Sequence, residues 1–258
     1  MEAIFQVSLA AITQNYTYFQ KRVDPAQVIP VVKANAYGHG ALEITRHLHT
    51  KLGVQTFAVA TLEESQELAA VFPEISILIF SRVFPSELPS VPENAILTVT
   101  SMEDALALSK SQINGIRVHL NVNTGMNRLG LSSEEALELI SAKGSNLQIE
   151  GVYSHFSSSD TISEVVYSQQ NSEFNSLIEK LRAGGFPGLV HIANSSAGLH
   201  DQQNPFDAMR LGIGLYGYDT TPDGEHQANL QPAMIIKAPL IRVAHIQMGE
   251  SVSYAEKW

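Results

Sequence analysis

At 258 residues, with 44% hydrophobic and 16% charged positions, the chain can bury one large core, and a barrel-type domain of about 250 residues lies in the ordinary range. Sixteen basic against 26 acidic residues leave a formal charge of −10, which argues against a nucleic-acid or anionic-membrane surface, so any anion must be held locally. The absence of cysteine excludes disulfides and thiolate metal sites, and no apolar run approaches the roughly 18 residues of a membrane span. The opening residues Met1-Glu2-Ala3-Ile4-Phe5 lack a basic region followed by an apolar stretch, and so read as those of a cytoplasmic protein.

Residues 8–22 place Leu9, Ile12, Tyr16 and Phe19 at helical spacing behind Ser8 as a cap, which predicts an opening helix. β-rich runs then recur at 28–33, 56–60, 75–80, 96–100, 116–122, 149–155, 189–193 and 208–213, with helix-like stretches such as 61–71, 101–109, 132–142 and 165–183 between them. The first few units would equally suit a doubly wound open sheet. The count of eight points to an α/β fold of the (β/α)8 TIM-barrel type over residues 1–220. The composition then turns polar and rich in Pro and Gly, and a linker is expected over 221–232. Residues 233–258 read as the truncated beginning of a β-rich second domain, with short strands at Met234-Ile235-Ile236 and Leu240-Ile241-Arg242-Val243.

The first β-rich run closes on Lys33, followed by Ala34-Asn35-Ala36-Tyr37-Gly38-His39-Gly40. A lysine at the mouth of a packed strand can shed part of its hydration, as an amine must to form a Schiff base with an aldehyde cofactor. Taken alone, it could as well cover apolar surface with its stem and keep its ammonium in water. After the seventh and eighth runs come Asn194-Ser195-Ser196-Ala197-Gly198 and Arg210-Leu211-Gly212-Ile213-Gly214. Hydroxyls and backbone amides beside glycine make either an anion nest or merely tight turns. In a closed barrel the eighth strand adjoins the first, so an aldehyde-reactive amine would sit beside an anion site. His155 ends the sixth run within Tyr153-Ser154-His155-Phe156, and no second ligand stands at a useful local spacing, so no metal site is expected. Arg210 could pair with Asp207 or Asp201, and His191 could be an ordinary buried histidine.

The stretch Val31-Val32-Lys33-Ala34-Asn35-Ala36-Tyr37-Gly38-His39-Gly40 resembles, nearly residue for residue, the cofactor-lysine motif of the alanine racemase family, pyridoxal-phosphate (PLP) enzymes that interconvert L- and D-alanine. The resemblance continues through Val118-His119-Leu120-Asn121-Val122-Asn123-Thr124-Gly125-Met126-Asn127-Arg128-Leu129-Gly130, Tyr153-Ser154-His155, Arg210-Leu211-Gly212-Ile213 and Val252-Ser253-Tyr254, almost the whole chain. It implies PLP as cofactor and a cytoplasmic, homodimeric isomerase that makes D-alanine for cell-wall synthesis. By the same resemblance Lys33 carries the cofactor, and Tyr37 gives its hydroxyl to the phosphate, which Asn194, Ser195, Gly212 and Ile213 surround. His155 stacks on the pyridine ring. Arg210 donates to the pyridine nitrogen, where many PLP enzymes place a carboxylate, and His191 supports Arg210 from behind. Arg128 reaches the phenolic oxygen and the substrate carboxylate. Lys33 and Tyr254, the latter entering the partner subunit, are the two acid–base groups.

Two departures stand in the Arg128 motif. Most members have a lysine, carbamylated, where this chain has Asn121, and an aspartate where it has Asn123. Some relatives with relaxed substrate range share the asparagine with a bound anion in compensation, so chloride or another small anion is expected beside Asn121 and Arg128. Members also continue for roughly another domain, about a hundred residues. The expectation is therefore a racemase whose N-terminal part, alone, binds PLP weakly to moderately and turns over poorly or not at all. The alternatives are a PLP-binding barrel module without catalysis and a racemase of broader specificity.

Overall fold

A computed structural model describes residues 2–111, 113, 115–142, 146–159, 164–200, 206–221 and 229–254. In chain order the strands are β1 (Ile4–Val7), β2 (Gln27–Pro30), β3 (Thr56–Val59), β4 (Ser76–Ile79), β5 (Ala95–Val99), β6 (Ile116–Asn121), β7 (Leu147–Tyr153), β8 (Leu189–His191), β9 (Ala208–Leu211) and β10 (Met234–Lys237). β2 to β9 form one eight-stranded sheet in the order β2-β9-β8-β7-β6-β5-β4-β3, with every pair parallel. The two ends of this sheet meet at a single bridge between Val31 and Ala58, where the Val32 amide donates to the Ala58 carbonyl at 2.8 Å. The expected (β/α)8 barrel is thus formed, with β2 and β3 joined through that bridge.

The helices start where small polar residues satisfy their first amides. Ser8 accepts from the Ala11 amide and Ser101 from the Asp104 amide, while Thr61 with Glu64 and Ser132 with Glu135 make capping boxes. Between strands and helices lies the main core, built on Phe19, Phe57, Ile77, Leu97, Val118 and Phe174. Alternation along the strands sends the other residues inward. On one side of the barrel the interior is apolar, with Ile29, Val31, Ala58, Leu78, Ile96 and Ala208 packed together. Across from them the same inward positions carry Thr98, His119, Tyr153, His191 and Arg210, all buried. The polar side of the interior is where the site is built. Away from it, Arg117 on β6 grips the Glu150 carboxylate with two bonds of 2.8 and 3.0 Å.

Three sequence expectations change. The run 28–33 is strand only to Pro30 with the bridge at Val31, because the chain turns sharply after Lys33. β1 is a strand that the sequence pattern does not mark; it pairs antiparallel with β10, Ile4 opposite Lys237 and Val7 opposite Met234. Ile4 and Phe5 are both exposed, so no buried-face alternation marks β1 in the sequence. The run Leu240-Ile241-Arg242-Val243 forms no strand: it finds no ladder partner among the described residues, and Ile241 is 93% exposed. Of the expected linker, residues 222–228 lie outside the described residues. No helix among the described residues is long and apolar enough to cross a membrane.

Candidate active site

Lys33, Tyr37, Asn121, Arg128, His155, Asn194, Ser195, Arg210, Gly212 and Ile213 all line one cavity of about 610 Å3. They arrive there from the C-terminal ends of β2, β6, β7, β8 and β9, the end of a barrel that hosts chemistry. His191 lies fully buried behind Arg210. Tyr254 is not brought in; its side chain is 97% exposed, away from the cavity lining.

Immediately after Lys33 the backbone enters a left-handed turn. Ala34, Asn35, Ala36 and Tyr37 have φ between 51 and 55°, although none is glycine. Each such residue costs about 1–2 kcal/mol, so the turn persists only under many constraints. The Ala36 amide donates to the Val32 carbonyl, Asn35 Oδ1 accepts the Ala41 amide at 2.8 Å, and Glu64 Oε1 accepts the Ala34 amide at 2.6 Å. Gly38, at φ 85°, ends the turn in a conformation that a side chain would resist. The turn brings Tyr37 back over Lys33, whose Nζ lies 5.8 Å from the Tyr37 ring centre. Behind Tyr37 stands Tyr216, 4.9 Å away ring to ring, with its hydroxyl donating to the Val31 carbonyl at 2.8 Å. Burial pushes both phenols above their ordinary pKa, so both are neutral donors at physiological pH.

Arg210 is a buried cation without a carboxylate partner among the described residues. Its donors go instead to neutral acceptors: Nη1 to His191 Nδ1 at 2.6 Å, and Nη2 to the Ser154 carbonyl at 2.7 Å and to His155 Nδ1 at 3.0 Å. Burial lowers its pKa to about 10, which still leaves it charged. An arginine can only donate, so His191 accepts through Nδ1 and carries its proton on Nε2. Nε2 in turn stands 3.0 Å from His119 Nδ1. Burial first, then neighbouring cations, push His155 and His119 down to about 3 and His191 well below its ordinary value. The Arg210–Asp207 pairing open from sequence does not form; Asp207 pairs with Arg182.

Opposite the guanidinium, Ser195 Oγ accepts the Gly212 and Gly214 amides, each at 3.1 Å, which leaves its O–H free to donate. A Cβ on Gly212 would lie 2.8 Å from the Tyr37 hydroxyl oxygen, so only glycine admits that hydroxyl. Asn194 also lines the cavity, but its Oδ1 is taken by the Ala197 amide at 3.0 Å and by the Ser159 hydroxyl at 2.9 Å.

The Arg128 loop is folded by Asn123, whose Oδ1 accepts the Gly125 and Asn127 amides at 3.1 and 2.9 Å. The Leu131 amide donates to the Asn121 carbonyl at 2.8 Å and closes the loop beneath. Arg128 is exposed at the cavity rim and has no ion-pair partner among the described residues. No cluster among the described residues could hold a metal ion.

Sequence reasoning assigned no role to His119, Tyr216 or Glu64. His119 alternates inward with Arg117 and Asn121 on β6, a period-two signal that could have marked it. Tyr216 and Glu64 touch the Lys33 turn from far along the chain, and no local pattern announces that.

A barrel that gathers a lysine amine, two guanidiniums and the Ser195 hydroxyl on one cavity, with no carboxylate in its described lining, has the site of an α/β-barrel enzyme for a small anionic ligand. The sequence profile described as alanine racemase, N-terminal domain, matches residues 7–220. Alanine racemase of Geobacter sp. (strain M21) is 34% identical over 99% of this chain and 70% of its own length, and that of Streptococcus pyogenes serotype M28 is 33% identical over 97% and 69%. The biosynthetic alanine racemase of Pseudomonas aeruginosa superposes with a TM-score of 0.87 at 30% identity, covering 99% of this chain and 71% of that one. The alanine racemase of E. faecalis does so with 0.87 at 31%. The chain belongs to the alanine racemase family.

Proposed function

We propose that the cavity binds PLP and that the protein is a PLP-dependent racemase interconverting L- and D-alanine. One observation carries this reading: Lys33, Arg128 and Arg210 line the cavity and no carboxylate does among the described residues. A phosphate, a phenolate and a substrate carboxylate are the anions such a lining needs. The residues fit the group. The Ser195 hydroxyl and the Tyr37 phenol would hold the phosphate, with Asn194, Gly212 and Ile213 shaping the wall. Arg210 would donate to the ring nitrogen and keep it unprotonated, which restrains transamination. His155, neutral at any physiological pH, would lie against the ring face. Arg128 would take the phenolic oxygen and the substrate carboxylate, as a planar two-pronged donor can. His191 would hold Arg210 in place.

Bound there, PLP supplies an aldehyde for the substrate amine and an electron sink that acidifies the α-carbon. Racemisation then needs a proton removed from one face of that carbon and one delivered to the other. Lys33 serves one face. Tyr254, exposed and outside this cavity, would serve the other by entering the site of a second copy, which makes the working form a homodimer. A small anion such as chloride would sit between Asn121 and Arg128, supplying the charge that asparagine lacks. Residues 1–220 would act as the PLP-binding unit, 221–232 as a linker and 233–258 as the start of a β unit, in a cytoplasmic enzyme.

The exposure of Tyr254 favours a second reading for this 258-residue chain by itself: a PLP-binding barrel with little turnover. One experiment separates the readings. The protein is titrated with PLP by absorbance, fixed with borohydride, mapped by mass spectrometry, and assayed for alanine racemisation. A pyridoxyl label on Lys33 with racemisation supports the first reading, the label without racemisation supports the second, and label scattered over other lysines overturns both.

A further inference from the structure

Lys33 stands between two backbone anchor points of different kinds. On its N-terminal side, Val31 makes the one bridge that joins β2 to β3. On its C-terminal side the ladder does not continue, and a side chain takes its place. Glu64, on the helix Leu62–Ala69 after β3, accepts the Ala34 amide through Oε1 at 2.6 Å and the Ala60 amide through Oε2 at 2.7 Å. Its third bond, to the Thr61 amide at 3.3 Å, is the capping-box contact. The two shorter bonds therefore lie outside the cap, and they join the residue after Lys33 to the residue after β3. Ala60 itself lines the cavity. Glu64 has no ion-pair partner among the described residues, so both of its oxygens are committed to backbone amides. Charge-assisted bonds of this kind are stronger than neutral ones.

The left-handed turn needs such an anchor. Past the Val32 amide, which donates to the Ala58 carbonyl, its other backbone hydrogen bonds run within residues 32–41 and fix its shape, while the Tyr216 ring packs on Tyr37 at its far end. Glu64 is the contact that ties its first strained residue, Ala34, to the neighbouring strand end. We infer that Glu64 is a positioning residue for the reactive amine: its carboxylate continues the β2–β3 seam past the Val31–Ala58 bridge and holds the turn so that Lys33 and Tyr37 face one cavity. The inference rests on the reading of Lys33 as the reactive amine given above. It adds a residue that neither touches the cofactor nor lines the cavity.

The test uses the full chain with Glu64→Ala, Glu64→Gln and, as a control, Thr61→Ala, which removes a capping hydroxyl and leaves the Ala34 contact intact. Three quantities are measured: amide hydrogen exchange at Ala34 and its neighbours without cofactor, acetic anhydride labelling of Lys33 relative to the other lysines without cofactor, and borohydride-fixed pyridoxyl label at Lys33. Glu64→Ala should speed exchange at Ala34, change the acetic anhydride labelling of Lys33, and lower the pyridoxyl label there by about tenfold, the ratio one lost charge-assisted hydrogen bond carries. Glu64→Gln, keeping one acceptor oxygen, should fall between, and it supplies the test if Glu64→Ala does not fold. Thr61→Ala should leave all three near wild type. Equal labelling in Glu64 variants and wild type, or an equal loss in Thr61→Ala, would overturn the inference. Failure of wild type to take pyridoxyl label on Lys33 would overturn the proposed cofactor instead, while the two cofactor-free measurements would still decide the role of Glu64.

Discussion

Arg210 donates to His191 across 2.6 Å, and both side chains are buried inside the barrel. The pair puts a fixed cation against a neutral imidazole whose tautomer is forced, because the guanidinium has no lone pair to offer. His191 must then donate through Nε2 to His119, 3.0 Å away, so three inward residues from β6, β8 and β9 form one directional chain ending at the cavity.

Removing the far end of that chain should be felt at the near end. His119→Phe leaves the buried His191 Nε2–H without an acceptor, a loss of about 1–3 kcal/mol in urea unfolding. Nitrogen NMR of His191 should show the Nε2-protonated tautomer in wild type and variant alike, because Arg210 still holds Nδ1 as an acceptor. A variant as stable as wild type would remove His119 from the chain.

Acid should unfold the protein through these imidazoles. His119 and His155 titrate near 3 when folded, whereas an unfolded histidine titrates near 6.5. Between those values the unfolded chain binds more protons than the folded one, so stability is full above about 6.5 and falls as the pH drops towards 3. Each histidine adds a slope of up to roughly 1.4 kcal/mol per pH unit within that window. Urea midpoints at pH 7, 6 and 5 should decline accordingly, and a flat midpoint would mean that the rings are hydrated.

Gly212→Ala places a methyl 2.8 Å from the Tyr37 hydroxyl oxygen. The phenol must move, and the expected loss in PLP affinity is about tenfold, roughly the value of one displaced hydrogen bond. Pyridoxal without phosphate should bind both forms alike. Equal losses for the two ligands would place the phosphate elsewhere.

Chloride dependence tests the proposal of a small anion between Asn121 and Arg128. Replacing chloride by gluconate should weaken PLP binding or turnover in wild type. Asn121→Glu, which brings a fixed carboxylate to Arg128, should abolish that sensitivity. A wild type indifferent to chloride would dismiss the anion.

The sequence by itself determined the alternation of strands and helices, the barrel, and the residues delivered at strand ends. Both signals are local: an apolar β-branched run sets the strand, and the residue at its end inherits its position at the mouth. Lys33, His155, Ser195 and Arg210 were legible for that reason, and all four line the cavity. Tertiary structure alone decided the rest. β1 finds β10 across some 230 residues, as in the pairing of Ile4 with Lys237, on a ribbon whose Ile4, Phe5, Ile235 and Ile236 are exposed and so show no buried-face pattern. The equally apolar Leu240-Ile241-Arg242-Val243 stays irregular among the described residues, because a strand needs a hydrogen-bonding neighbour and not only β-favouring side chains. The left-handed turn after Lys33 runs against the backbone preference of Ala34 and Ala36, and a conformation held against local preference can be specified only by contacts from outside, here the Glu64 carboxylate and the Tyr216 ring that packs on Tyr37 and His39.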